Sequence, residues 1–398
     1  MPSSCIIVGA GPAGMMLAYL LARNGIDVTL LEMHGDFDRD FRGDTVHPSI
    51  LQVLDELGLA EDVLQLPHTE ISDFTIQTAR GAVKIADLHH LKTKFPFIAF
   101  MPQARFLEFL ANAAKKFPTF HLVMGAQVIG VIEENGVVCG VRYRSADGEH
   151  ELRGILTVGA DGRFSEVRKL SGLASTAIKM SQPMDVLWLR VPRHPNETRG
   201  LLGRIGNGHV LIELERGAQW QIAFVIPKGT FAQLRAQGIE ALRRELVATA
   251  PELQDRVNTL TDWKQVSLLT VQADRLTRWY KPGLLLIGDA AHVMSPAGGN
   301  GINYAVMDAV AAANLLTAPL KAGCVTVDDL ARVQKRRERP TRIIQTIVNA
   351  AQNNLLARAL DSQKPFELPG IIRAPFIGNL AARIIAFGIR PEHVADSR

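Results

Sequence analysis

The sequence predicts an α/β protein, a Rossmann-like cofactor domain interrupted by an inserted β-sheet domain and followed by C-terminal helices. Three observations predict it. First, an apolar, β-branched run, Cys5-Ile6-Ile7-Val8, leads directly into Gly9-Ala10-Gly11-Pro12-Ala13-Gly14, the pattern of a buried parallel strand ending in a glycine turn. Second, two more glycine-bearing segments, Gly159-Ala160-Asp161-Gly162 and Gly288-Asp289-Ala290-Ala291-His292, follow apolar runs in the middle and the late third of the chain. Third, the stretches between them are rich in strands of a different patterning, so one domain made of discontinuous pieces fits better than two in series.

The first unit reads residue by residue. Gly9 permits a tight turn, Gly11 lets a phosphate approach the backbone, and Gly14 allows helix to pack closely on strand. Pro12 and Ala13 then open a helix reaching Arg23. The free N–H groups of its first turn and its positive dipole end suit a pyrophosphate. A second strand, Asp27–Leu31, ends at Glu32. An acid about 20 residues past the glycines can accept both hydroxyls of an adenosine ribose and disfavours a 2′-phosphate there, so FAD or NAD fits better than NADP. The later segments suit the far end of a long dinucleotide, and together the three read as stations for one FAD.

Composition bounds the rest. A chain of 398 residues can bury a large core and divide into two or more lobes. A net charge of +4 is too diffuse to argue for nucleic acid. The densest basic run, Lys335-Arg336-Arg337-Glu338-Arg339, reads as a solvated helix face, with a membrane-surface or anionic-cofactor role as the other reading. Cys5, Cys139 and Cys324 lie far apart, without CxxC or His–Cys spacing. We therefore expect no metal set and no disulfide framework, and a reducing, cytoplasmic setting. Residues 5–22 are nearly all apolar and long enough to span a bilayer. No basic n-region precedes them and no A-x-A cleavage site follows, so they read as a buried β-α unit. No integral membrane span is expected.

Along the chain, residues 46–70 read as helical, and 74–77 and 83–85 as strands. A helix opens at Met101-Pro102-Gln103, and strands follow at 120–124, 127–133, 136–144 and 152–158. Residues 181–228 are again strand-rich, 231–260 helical, 264–273 and 283–287 strands, and helices dominate from 303 to about 350. The expected division is a cofactor domain of 1–70, 98–178 and 266–345, a substrate-binding sheet domain of 71–97 and 179–265, and a C-terminal helical segment, 346–398.

With these residues in place, the chain resembles the class A, single-component FAD-dependent aromatic monooxygenases, the para-hydroxybenzoate hydroxylase-like family, from about residue 5 to residue 345. Gly9–Gly14 with Glu32 carry the resemblance, as do Gly159–Gly162 with Ser165 and Arg168. The most specific stretch is Gly288–His292, continuing through Pro296-Ala297-Gly298-Gly299-Asn300-Gly301-Ile302-Asn303 to Asp308. The resemblance implies a non-covalent FAD touched by Gly9, Gly11, Pro12, Ala13, Gly14, Glu32, Met33, Arg42, Gln103, Arg105, Val128, Asp161, Gly162, Gly288, Asp289 and the segment from Pro296 to Asn303. Asp289 would take a ribityl hydroxyl, and the helix opened by Gly298–Asn303 would stabilise negative charge on the reduced ring. Asp161 could instead be a helix cap, and Arg42 and Arg105 could instead be surface ion pairs.

The family's chemistry supplies the expected function: NADH or NADPH reduces FAD, O₂ forms a C4a-hydroperoxyflavin, and an oxygen passes to a small apolar or aromatic substrate. Pro296 would border the reacting ring. His47 is the candidate acid or base, against a structural histidine at a helix start. Trp188 and Trp220 could be pocket walls or core. The apolar tail, with Phe366, Phe376, Ile377, Ile384 and Phe387, could cap the cavity, support a homodimer or cover the sheet. Three alternatives stay open: a flavin halogenase, a reductase of isoprenoid alkenes, and a non-catalytic FAD-binding protein. Against the halogenase, Trp220–Pro227 keeps Ile-Pro but lacks the second tryptophan of a Trp-x-Trp-x-Ile-Pro motif, and Lys84 is the only lysine near a plausible early-strand position.

Overall fold

The computed structural model describes residues 3–38, 44–78, 81–197, 200–206, 208–297, 299–361, 366, 370 and 375–395. Apolar runs set side by side make the parallel part of the first sheet. In spatial order its strands are Leu284–Leu286, Gly148–Gly159, Ser3–Val8, Val28–Glu32 and Phe120–Met124. Cys5, Ile6 and Ile7 are wholly buried, as strands covered on both faces must be. Burial also pushes the Cys5 thiol up to about 12. Helix Pro12–Arg23 is pre-set by proline in its first turn. It is buried along almost its whole length, against the sheet and against helix Gly301–Lys321.

Strand Gly148–Gly159 has two partners of different kind. Its first half pairs antiparallel with Val137–Ser145, which pairs with Gln127–Glu134. Its second half joins the parallel sheet. Phe120–Met124 closes the parallel sheet beside Val28–Glu32.

The second sheet runs Ser267–Leu269, Met184–Pro192, Gln219–Pro227, His209–Arg216, Leu201–Gly206, Asp73–Thr78, Gly81–Asp87. Alternation gives it two faces. On the outer face Leu187, Leu189, Trp220, Ile222 and Phe224 pack under Leu242 and Leu246 of helix Ile239–Thr249. On the inner face Val186, Trp188, Ala223, Val225 and Ile212 belong to clusters that take in Ala297, Leu356 and Leu360 at one end, and Ala382 and Ile385 of helix Pro375–Phe387 at the other.

Local turn chemistry refines several expectations. The stretch 46–70 is not one helix. Thr45–Val46 and Thr69–Ile71 are short strands around helices Pro48–Glu56 and Ala60–Leu64, and Gly58, at φ +72°, separates the helices because only glycine takes that conformation readily. Residues 231–260 break at Gly238 and Pro251 into Phe231–Ala236, Ile239–Thr249 and short 3₁₀ turns. Of 264–273, Ser267–Leu269 and the start of Ala273–Leu276 are extended. In the C-terminal helix, Ile385 and Phe387 pack on the inner cluster, whereas Phe376 is 65% exposed.

Beyond that helix the chain is stitched back onto the cofactor side. The Ile389 N–H donates to the Tyr304 hydroxyl at 3.0 Å, and the Ala395 N–H to Asn314 Oδ1 at 3.0 Å. Glu392 takes Arg336 and Arg337. Among the described residues no helix is long and apolar enough to cross a membrane.

Candidate functional site

Sheet register brings the three glycine segments together. Val8 pairs with Gly159, Gly159 pairs with Leu286, and Val8 also pairs with Leu31. All four strand ends therefore point their following turns to one edge, where open α/β sheets bind ligands. The turns interlock. The Ala160 N–H donates to the Val8 carbonyl at 2.8 Å, and the Ile287 N–H to the Gly159 carbonyl at 3.0 Å. A Cβ on Gly9 would lie 2.6 Å from the Ala160 oxygen, and one on Gly14 would lie 1.9 Å from the Gly9 oxygen. A Cβ on Gly11 would meet nothing within 4 Å. Gly9 and Gly14 are thus needed for packing, while the open approach is at Gly11, ahead of a helix start with no side-chain cap.

Three carboxylates, Glu32 and Asp308 buried and Asp161 half-buried, tie these turns down. Glu32 Oε2 accepts from the Ala10 N–H at 2.9 Å, and its Oε1 lies 2.7 Å from His34 Nδ1. Asp161 accepts from the Ser165 hydroxyl at 2.5 Å and the Val167 N–H at 3.1 Å, so it does act at the helix start Glu166–Leu170. Burial raises the Asp161 carboxyl against these bonds. Arg168, on that helix, makes a two-pronged pair with Asp274, both contacts at 3.0 Å. Asp308 accepts from the Gly288 N–H at 3.0 Å, faces His292 Nε2 at 2.6 Å and takes Arg337 Nε at 3.0 Å. Burial alone would raise the Asp308 carboxyl, but His292 and Arg337 overcome it and hold it below the usual range.

The segment that follows holds several of the buried polar atoms that lack partners among the described residues. Asn300 Oδ1, Asn303 Nδ2 and His292 Nδ1 are buried without hydrogen-bond partners. Asn303 Oδ1 is satisfied by the Ser49 hydroxyl at 2.6 Å. Helix Gly301–Lys321 begins with no side-chain cap. Buried orphan groups are costly, and here they gather at one helix start. His47 stands beside them, wholly buried, with Nδ1 2.6 Å from the Ile385 carbonyl and Nε2 3.1 Å from the Gly299 carbonyl. Burial lowers its pKa, opposed by both carbonyls. The ring spans the C-terminal helix and the Gly299 turn; as a neutral imidazole it donates to one of the two carbonyls, and only as an imidazolium to both.

The observed features fit FAD: open backbone at Gly11, two uncapped helix starts, and orphaned amide atoms beside the second. The FAD binding domain family matches residues 3–346. The chain belongs to that family, and its cofactor is FAD. The 6-methylpretetramide 4-monooxygenase of Streptomyces rimosus is 33% identical to it, over 96% of this chain and 91% of that one. The para-nitrophenol 4-monooxygenase of a Pseudomonas species is 23% identical, over 81% and 79%. Among solved structures, PqsL from Pseudomonas aeruginosa, crystallised with 2-aminobenzoylacetate, shares the fold with a TM-score of 0.75 and 22% identity, covering 91% of this chain and 97% of that one.

The remaining predicted residues scatter more. Gln103 opens its helix with its N–H on Asp44 Oδ1 at 3.3 Å. Arg105 is exposed and pairs with Glu108 at 3.6 Å. Val128 is buried in its strand, and Met33 is 56% exposed just past Glu32. Gly162 takes φ +79° in the turn after Asp161. Asp289 lies half-buried in the 3₁₀ turn Gly288–Ala290, and Pro296 is half-buried ahead of Gly299. Arg42 and Gly298 lie outside the described residues. Trp188 and Trp220 part company: Trp220 is outer-face core, and Trp188 faces inward.

The basic run needs correction. Arg337 is not solvated; it is fully buried between Asp308 and Glu392. Its position was legible, since it falls on the stripe Leu330, Val333, Arg337, Ile344 that the helix buries. Lys335, Arg339 and Arg342 instead line an outer groove of about 660 Å³ that contains none of the glycine-segment residues. A cluster the sequence did not suggest ties the seven-stranded sheet to the residue before strand Thr45–Val46: Asp44 meets Arg216 and, at 3.4 Å, Gln221.

Proposed function

We propose that the protein is an FAD-dependent monooxygenase that takes electrons from NADH or NADPH and places one atom of O₂ on a small, flat, aromatic molecule. The observation that carries this reading is the convergence of the Gly9, Asp161 and Gly288 turns at one sheet edge, with orphaned amides at the next helix start. The relatives' names point the substrate class toward aromatic compounds.

In this reading the N–H groups of Gly11 and Ala13 and the positive end of their helix hold the pyrophosphate, Glu32 faces the ribose, and Asp289 takes a ribityl hydroxyl. When bound, FAD supplies the electron transfer and the activation of O₂. The chain's own residues position and shield it. The helix start at Asn300–Asn303 favours negative charge on the ring edge it faces, and Ser49 fixes Asn303 for that task. Asp308, itself held by Arg337, sets the Gly288 turn and the His292 ring. His47 acts as a strut that keeps the C-terminal helix against the Gly299 turn. That helix and the inner face of the second sheet exclude water, which protects reactive oxygen species from wasteful collapse.

Lys84 gives the halogenase reading no support, because it is exposed and pairs with Asp73 and Asp87, both at 2.9 Å. The test is direct. Purified protein should carry a flavin spectrum, consume NAD(P)H faster with an aromatic substrate, and yield a product heavier by one oxygen in mass spectrometry. A bound flavin that NAD(P)H does not reduce, or consumption that gives only H₂O₂, would sink the reading.

A further inference from the structure

Trp188 stands at the centre of the inner face. Register places it directly beside Ala223, and Ala223 beside Ile212, across three neighbouring strands. Alternation puts all three on the same face. A small residue thus lies between two tall ones, with the tall pair about two strand spacings, roughly 10 Å, apart. Trp188 and Ile212 both belong to the cluster that includes Ala297, the residue after Pro296, and to the cluster that includes Ile385 of the C-terminal helix. The row therefore lies between the flavin-side segment and the helix that His47 braces.

The indole nitrogen of Trp188 is buried and has no hydrogen-bond partner. Trp220 and Trp279, which are more deeply buried than Trp188, do have one. Trp220 Nε1 donates to Glu197 at 2.7 Å, and Trp279 Nε1 to the Leu276 carbonyl at 3.2 Å. An indole N–H can only donate, and a buried donor without an acceptor is a cost that selection removes unless something else satisfies it.

We propose that Trp188 is a specificity-determining residue whose indole N–H receives an edge oxygen, carbonyl or phenolate, of a flat fused-ring aromatic substrate seated over Ala223. The proposal rests on the monooxygenase reading and sharpens its substrate class. Ala223 is 4% exposed in the ligand-free protein, so side chains packed on the row must shift for two or three fused rings to lie flat there, with the ring face toward Ala223 and the oxygen at the Trp188 end. A single donor at one end fixes which edge of the ring points away from it, and so which carbon can be oxygenated.

The test uses the purified FAD-loaded protein and two probes, 1-naphthol and naphthalene, which differ in the edge oxygen. Binding is read as a dissociation constant from perturbation of the flavin absorbance. Wild-type protein should bind 1-naphthol about tenfold more tightly than naphthalene, the scale of one buried hydrogen bond. Trp188→Phe keeps a flat ring and removes the donor. It should lose that tenfold preference, bind naphthalene as before and keep its FAD content. Equal binding of both probes by wild type, an unchanged preference in Trp188→Phe, or an equal loss for both probes would overturn the proposal. So would failure of both probes to bind. If the binding pattern holds while 1-naphthol drives NAD(P)H consumption that yields only H₂O₂, the monooxygenase reading fails and the Trp188 assignment stands.

Discussion

The two faces of the seven-stranded sheet treat their tryptophans in opposite ways. On the outer face, Trp220 is satisfied by Glu197 and covered by the Arg193 guanidinium, 5.3 Å from its ring centroid. Glu197 in turn takes Arg256 at 2.5 Å. On the inner face Trp188 has no acceptor, and beyond the sheet the Asn300 and Asn303 amides are also incompletely bonded. The strands are the same and the alternation is the same, so backbone propensity cannot explain the difference. The outer face closes the hydrogen bond of its tryptophan internally, although Arg193 Nε and His209 Nδ1 have no partner there. The inner face leaves its tryptophan's donor for a ligand to close.

If the outer face is purely structural, the largest effect on stability should come from its core. Phe224 is fully buried in the outer cluster. Phe224→Ala should cost about 3–5 kcal/mol through lost burial and the cavity left behind, read as a lower urea midpoint. FAD content per folded molecule should not change. A variant of normal stability that has lost FAD would break the division between the faces.

The next effect depends on pH. Glu213 is 2% exposed on the outer face, and burial pushes its carboxyl up to about 7, despite Arg204 at 3.4 Å. The folded state therefore binds this proton more tightly than the unfolded chain does. The stability this group contributes is complete below its ordinary value of 4.5 and is lost as pH rises through about 7. The full loss is on the order of 3 kcal/mol. Glu213→Gln should flatten that part of the denaturation-versus-pH curve. A curve that keeps its slope in the variant would assign the proton uptake elsewhere.

The sequence made the cofactor edge legible because its glycines fall at fixed offsets after apolar runs. Gly14 is required by a contact within one strand-turn-helix unit, whereas Gly9 is required by the Ala160–Asp161 turn of a distant strand, and the parallel strands announce themselves as apolar runs. The inner face was less legible. Alternation told that Trp188 and Trp220 lie in strands, but their faces depend on which side the helix Ile239–Thr249 covers. That is a long-range fact, set by packing of Leu242 and Leu246. The Arg337–Asp308–Glu392 cluster was hidden for the same reason: its members come from two helices and the C-terminal stretch. A charged residue on an apolar stripe was the available signal, and the surrounding basic residues masked it. His47 was visible as a helix-start residue, while its two carbonyl partners, Gly299 and Ile385, lie some 250 and 340 positions away.

The smallest effect is the sharpest comparison, because it applies one substitution to both faces. Trp220→Phe removes a donor that Glu197 uses and leaves a less satisfied carboxylate near Arg256. It should cost about 1–2 kcal/mol. Trp188→Phe breaks no hydrogen bond, since none is made, and keeps an aromatic ring in a half-buried site. Its unfolding free energy should stay within about 0.5 kcal/mol of wild type, or rise, because a buried unsatisfied donor is gone. Parallel urea titrations of the ligand-free variants measure both. If Trp188→Phe loses as much stability as Trp220→Phe, the inner indole is already bonded in the resting protein, and the two faces do not differ in the way their hydrogen bonds imply.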